Sequence, residues 1–352
     1  MSDLSRKKAI IKRAEKAAIA GYFQLDKDTL ADLKLQYEAS LEEIIAVLMF
    51  YGDSMGVVRL QSLQALRRDI EQVLVSLSTL QSELLSAGLT SAANLGTQPF
   101  LSYRGTEAAL DISQRTTRFV KEFTDTNDGL QLSDRLWIIN DNHKTNVIRA
   151  INSAVIQGHS ASEAAANLIA SGERPSQEIL RKINRAETNK MGNVLKSQYF
   201  DEDAAYWQAR RLFRTELNRA HGLAYQNSLE DDDDIVGTRF KLSPNHPRVD
   251  ICDMHASVNR FGLGKGVYPK GKSPWPAHPN TLSYEEAVFI DEVTEEDRAG
   301  KEDRIAWLNN QPYQQRLGVI GKFKTELLSK SSLKENMLTT KVSVLKKRFR
   351  DY

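Results

Sequence analysis

The sequence predicts a mostly α fold: a long helical N-terminal region followed by a small α+β C-terminal module with Pro/Gly-rich loops. Apolar residues recur at helical spacing from about residue 4 to 230. Over that span proline occurs only at Pro99 and Pro175, so little interrupts a helix. Past Val236 the texture changes. "IVGTRFKLS" alternates and is rich in β-branched residues, and Leu242 to Asn280 collects most of the prolines, three of the six histidines and the only cysteine.

Taken in order, "DKDTLADLKLQYEASLEEIIAVLMF" reads as a helix with Asp26 or Asp28 as its N-cap and an apolar stripe of Leu30, Leu33, Tyr37, Leu41, Ile44 and Leu48. Gly52 and Gly56 break or bend the chain after it. Next, Leu63, Leu66, Ile70, Val73, Leu77, Leu80 and Leu84 alternate by three and four, the a/d seam of a long helix. Helix 57-88 therefore either pairs with a second copy, giving a homo-oligomer, or faces its own core. "SAANLGTQPF" reads as a loop, because it holds Gly96 and Pro99. Further helices are expected at about 106–124, 133–157, 160–171 and 175–200, with His143 on an apolar face and Ser160 with Glu163 as a capping box. "YWQARRLFRTELNRAHGLAYQNSL" is one more helix, "IVGTRFKLS" a strand, and 296–352 polar helices with a basic tail.

Charge narrows the function classes. Forty-eight Lys and Arg against 46 Asp and Glu leave a net charge of +2, too little to drive the whole molecule to an acidic partner. Both ends are basic, however, and Lys346, Lys347, Arg348 and Arg350 are candidate phosphate contacts to nucleic acid. The run Glu230 to Asp234 reads as a solvated acidic loop. One cysteine excludes an internal disulfide, and no apolar run approaches the roughly 18 residues a membrane span needs, so no membrane partner is expected.

Chemistry concentrates in "HPRVDICDMHA" and "WPAHPN". His246, Asp250, Cys252, His255 and His278 combine imidazole, carboxylate and thiol, a donor set suited to Zn2+. Cys252 and His255 are spaced so that one turn presents both, and His278 closes from a second loop. Two readings stay open: a metal site, or side chains that satisfy the backbone of a Pro/Gly loop. "GLGKGVYPKGKS" is not a Walker loop, since its spacing is wrong and no helix follows it.

Together, "RTELNRAHGLAYQ", "FKLSPNHPRVDICDMHA" and "GLGKGVYPKGKSPWPAHPN" resemble the C-terminal domain of tailed-phage minor head proteins, the Mu F-like head morphogenesis family, over about 205–295. The matching positions are Arg214, Glu216, Arg219 and Ala220; His246, Asp250, Cys252, Asp253 and His255; and Tyr268, Pro269, Pro276, His278 and Pro279. The pattern departs after "HPN", where the family often carries Cys-x-Cys and this chain has Thr281 and Ser283.

The resemblance implies a helical docking region at 1-200, a head morphogenesis domain at 201-295 and polar helices with a basic tail at 296-352. It implies a structural virion component, present in the host cytoplasm during assembly. Its partners would be the portal protein or the major capsid protein, and no turnover is expected. The rival reading is a metal-dependent hydrolase or nuclease built on the same His/Asp/Cys cluster.

Overall fold

The computed structural model of the chain describes residues 3–51, 60–101, 103–104, 114, 118, 132–156, 199–201 and 204–349. The predicted helix at 160–171, most of 175–200 and all but residues 114 and 118 of 106–124 lie outside the described residues, as do Gly52, Gly56, Ser160, Glu163 and Arg350. The chain is mostly helical. It carries α1 (Asp3–Tyr51), α2 (Leu63–Leu101), α3 (Leu132–Ile156), α4 (Ala205–Leu229), β1 (Ile235–Lys241), α5 (Ile251–Ser257), β2 (Val267–Pro269) and β3 (Tyr284–Phe289). After these come α6 (Glu295–Ala299), α7 (Arg304–Asn309), α8 (Tyr313–Ser329) and α9 (Val342–Arg348). No helix among the described residues is long and apolar enough to cross a membrane.

The chain forms two compact units that are not consecutive segments: 1–22 with 92–116 and 218–352, and 23–91 with 117–217. In the second unit the α1 stripe behaves as predicted, with Leu30, Leu33, Tyr37, Leu41, Ile44 and Leu48 all buried. The helix does not start at Asp26 or Asp28, though. It runs from Asp3, and Asp26 sits mid-helix, buried, taking paired hydrogen bonds of 3.1 and 2.9 Å from Arg214.

On α2, Leu66, Ile70, Val73 and Leu77 are buried within the chain's own core, so this part of the seam is not available to a second copy. The predicted stripe then slips. Gln81 and Leu85 are buried, whereas Leu80 is 48% exposed. A straight α-helix has 3.6 residues per turn, so a strict heptad seam drifts off the buried face within a few turns. On α3, Leu136, His143, Val147 and Ile151 point inward, and the His143 ring lies 4.2 Å from that of Tyr199, a core histidine as its stripe implied.

The first unit holds a sheet that, among the described residues, has three antiparallel strands in the order β2-β1-β3. Thr238 pairs with Tyr268 on one side and Ala287 on the other. One face contributes Ile235, Ala287 and Phe289 to a cluster with Ile11, Phe100, Tyr225 and Leu229. Phe240, Cys252, Met254, Tyr268 and Trp275 build a second cluster, which Trp307, Leu308, Val319, Leu327 and Leu345 complete. The later helices past residue 296 thus carry buried apolar faces as well as polar ones. Each large side chain they bury contributes about 1.5–3 kcal/mol of transfer free energy.

"SAANLGTQPF" is not a loop: α2 continues through it to Leu101, with Pro99 in its last turns. Gly96 serves packing instead, since a methyl group there would sit 2.1 Å from the His221 carbonyl oxygen on α4.

Candidate functional site

The site is assembled from α4, the loop leading into α5, and the loop between β2 and β3. Asp250 is the N-cap of α5. Its Oδ1 accepts from the Cys252 N–H at 2.7 Å, and Asp253 Oδ2 accepts in turn from the Asp250 N–H at 2.8 Å, closing a capping box. His246 Nε2 lies 2.9 Å from the same Asp253 oxygen, tying the start of the first loop to the helix it precedes.

The second loop folds back over this turn. His278 Nε2 stands 3.2 Å from Asp250 Oδ2, and Cys252 Sγ lies 3.7 Å from Thr281 Oγ1. Asn218 on α4 donates to the Thr281 and Ser283 carbonyls at 3.0 and 3.4 Å, while Trp275 Nε1 donates to the Ser283 carbonyl at 2.8 Å. The Trp275 ring itself rests on Gly222, where a methyl group would lie 2.1 Å from it.

Electrostatics separate the candidates. Burial, opposed by hydrogen bonds from Ser283 and Thr281 and helped by the Asp250 charge, pushes the Cys252 thiol up to about 11, so without a cation it stays protonated at neutral pH. His255 is lowered to about 4, first by burial and then by Arg304 and Arg260, and is therefore a neutral imidazole.

The structure brings some predicted donors together and not others. Asp250, Cys252 and His278 offer ligand atoms within 4.8 Å of one another, and so do His246, Asp250 and Asp253. Asp250 is common to both sets. His255 belongs to neither: it faces the core, its ring 5.7 Å from Phe240, with the Tyr268 hydroxyl donating to its carbonyl at 3.0 Å. The spacing of Cys252 and His255 suggested one turn presenting both, but on α5 both are buried without converging on a common point.

Of the other signature residues, Arg214 pairs with Asp26, Glu216 and Tyr268 are buried, Arg219 is half-buried, and Pro279 supplies the carbonyl that faces His278 Nδ1 at 2.8 Å. Lys346, Lys347 and Arg348 are exposed on α9 around the buried Leu345.

Asn218, Thr281 and Ser283 belong to the site without being marked as such by the sequence pattern. Asn218 carried a usable signal, because an asparagine inside a helix seeks a backbone partner elsewhere. Thr281 and Ser283 are the two positions at which the sequence departs from the resembled pattern, and both are buried beside Cys252. Comparison with protein-family models, curated proteins and solved structures finds no match.

Proposed function

We propose that this chain is a structural component of a tailed-phage head: a minor capsid or head morphogenesis protein that docks on the portal protein or the major capsid protein at the capsid interior. It would act in the host cytoplasm during assembly and remain in the virion, near packaged DNA. The resemblance over 205–295 motivates this reading. One observation carries it furthest: most of the signature's chemistry-bearing side chains spend their bonds on the chain's own loops. Asp250 and Asp253 cap α5, His246 holds Asp253, and Tyr268 holds the His255 carbonyl. Such a set stiffens a docking module.

The helices supply contact area for a partner. Leu35, Phe50, Val75, Leu80, Trp137 and Ile138 are exposed, and Phe50 and Trp137 are 81% and 60% accessible. Disrupting the gene in the phage that encodes it and supplying the chain in trans tests the reading. Heads should fail to form or fill without it and recover with it; normal filled heads in its absence would overturn the proposal.

A further inference from the structure

We infer that Asp250, Cys252 and His278 form a binding site for one divalent transition metal of the zinc class. The site rests on the geometry of the two loops and does not depend on the head reading.

A neighbouring carbonyl fixes the His278 tautomer. His278 Nδ1 lies 2.8 Å from the Pro279 carbonyl oxygen. A carbonyl oxygen only accepts, so Nδ1 carries the proton, and in the neutral ring Nε2 then presents a lone pair. That Nε2 is shut off from solvent and makes no hydrogen bond. What it faces is Asp250 Oδ2 at 3.2 Å, another electron-pair donor. With the ring neutral, two lone-pair atoms confront each other, one of them anionic, across a gap that a proton or a metal cation would occupy favourably. An imidazole whose far nitrogen donates to a carbonyl is also how proteins fix the metal-binding tautomer of a histidine.

Cys252 supplies the third donor, with Sγ within 4.8 Å of the other two ligand atoms. Nitrogen, oxygen and sulfur together select a borderline-soft ion such as zinc over magnesium or calcium, which take oxygen ligands. Ligands around one zinc ion, each at about 2.0–2.3 Å, stand about 3.3–3.7 Å apart. The Asp250 to His278 distance already fits, and the widest separation has to close by about 1 Å. On binding, Cys252 releases its thiol proton to solvent and coordinates as thiolate, leaving a fourth position for water. His246 Nε2, 3.9 Å from Asp250 Oδ1, is too far to hydrogen-bond that carboxylate and holds Asp253 instead. His255 takes no part.

The test uses the full chain, titrated with Co2+ and followed by absorbance, with bound Zn2+ counted by elemental analysis after dialysis. One ion per chain is expected, with a thiolate-to-cobalt charge-transfer band in the near ultraviolet. Cys252→Ser should abolish that band, and His278→Gln should weaken binding by more than about tenfold. His278 is the safer variant for folding, because its side chain is 35% exposed, and circular dichroism reports whether each variant keeps its helices. If Cys252→Ser does not fold, His278→Gln alone decides. A folded wild-type chain that takes up neither Co2+ nor Zn2+, or that binds them equally well after both substitutions, overturns the site. Particle incorporation of the His278→Gln chain is scored separately, so failure of the metal site and failure of the head reading are distinguishable.

Discussion

Lys7 and Asp232, 225 positions apart in sequence, form an ion pair of 2.5 Å in which both side chains are nearly buried, and Lys7 also reaches Asp234 at 2.7 Å. Around it, Lys8 pairs with Asp291 at 2.7 Å and Lys12 approaches Glu292 at 3.7 Å. The basic N-terminus and the acidic run therefore neutralise each other in part. Glu230, Asp231 and Asp233 are exposed, as a solvated acidic loop requires, but Asp232 is buried, and Lys7 is not available to DNA. Substituting Lys7 with Met leaves Asp232 buried without its cation, which destabilises by about 3–5 kcal/mol. Urea denaturation of the single variant, and of Lys7→Met with Asp232→Leu, measures it: the double variant should recover much of the loss.

Glu15 gives a pH dependence of definite sign. Burial raises its pKa above the ordinary 4.5, against the opposing effects of Lys12, the Tyr225 hydroxyl and the Ala287 N–H. The folded chain therefore keeps this proton where the unfolded chain has released it. The associated stability is complete below about pH 4.5 and is lost as pH rises through the raised folded value. Glu285, buried and likewise raised, adds a second contribution of the same sign. In Glu15→Gln the remaining amide oxygen can still accept from Tyr225 and Ala287, which both bond Oε1. Unfolding free energies measured between about pH 4 and 8 should fall less steeply for this variant than for the wild type. An unchanged slope would remove Glu15 from the account.

How much of this was legible differs from element to element. The stripes of α1 and α3 were readable because each repeats at helical spacing over several turns, and β1 because its alternation is local. Pro99 and Gly96 misled, since both punctuate loops on average. Here the proline falls in the last turns of a helix, and the glycine lets two backbones approach. The site was half legible. Residue type marked Asp250, Cys252 and His278, but only the fold could separate His255 from them or place Thr281 against Cys252. Partners distant in sequence, such as Lys7 with Asp232 or Asn218 with the second loop, leave no local pattern to read.

Gly96→Ala tests the close crossing inside the first unit. The added methyl meets backbone atoms, at 2.1 Å from the His221 oxygen and 3.1 Å from the Tyr225 nitrogen, so no side-chain rotation relieves it. A loss of about 1–3 kcal/mol in thermal or urea unfolding is expected, despite the better helix propensity of alanine.

Asn218→Ala should loosen the second loop. It removes the donor to the Thr281 carbonyl, and a buried carbonyl left without a partner costs about 1–3 kcal/mol. Faster amide exchange at 278–284, with α3 unchanged, is the local signature to look for.

The exposed cations of α9 offer a separable test. Replacing Lys346, Lys347 and Arg348 with alanine should leave unfolding nearly unchanged while flattening the salt dependence of DNA binding. Each phosphate that these side chains neutralise in the wild type accounts for about 0.9 in the log–log slope. An unaltered slope would remove α9 from any role in holding DNA.

The central claim, that the chain is a built-in part of a phage head, is tested most directly by counting it there. Quantitative mass spectrometry of gradient-purified heads and their precursors should find the chain at a few copies per particle, co-purifying with portal-bearing shells. A chain missing from every particle fraction, whose purified form cleaves DNA in a metal-dependent reaction that His278→Gln abolishes, would contradict it.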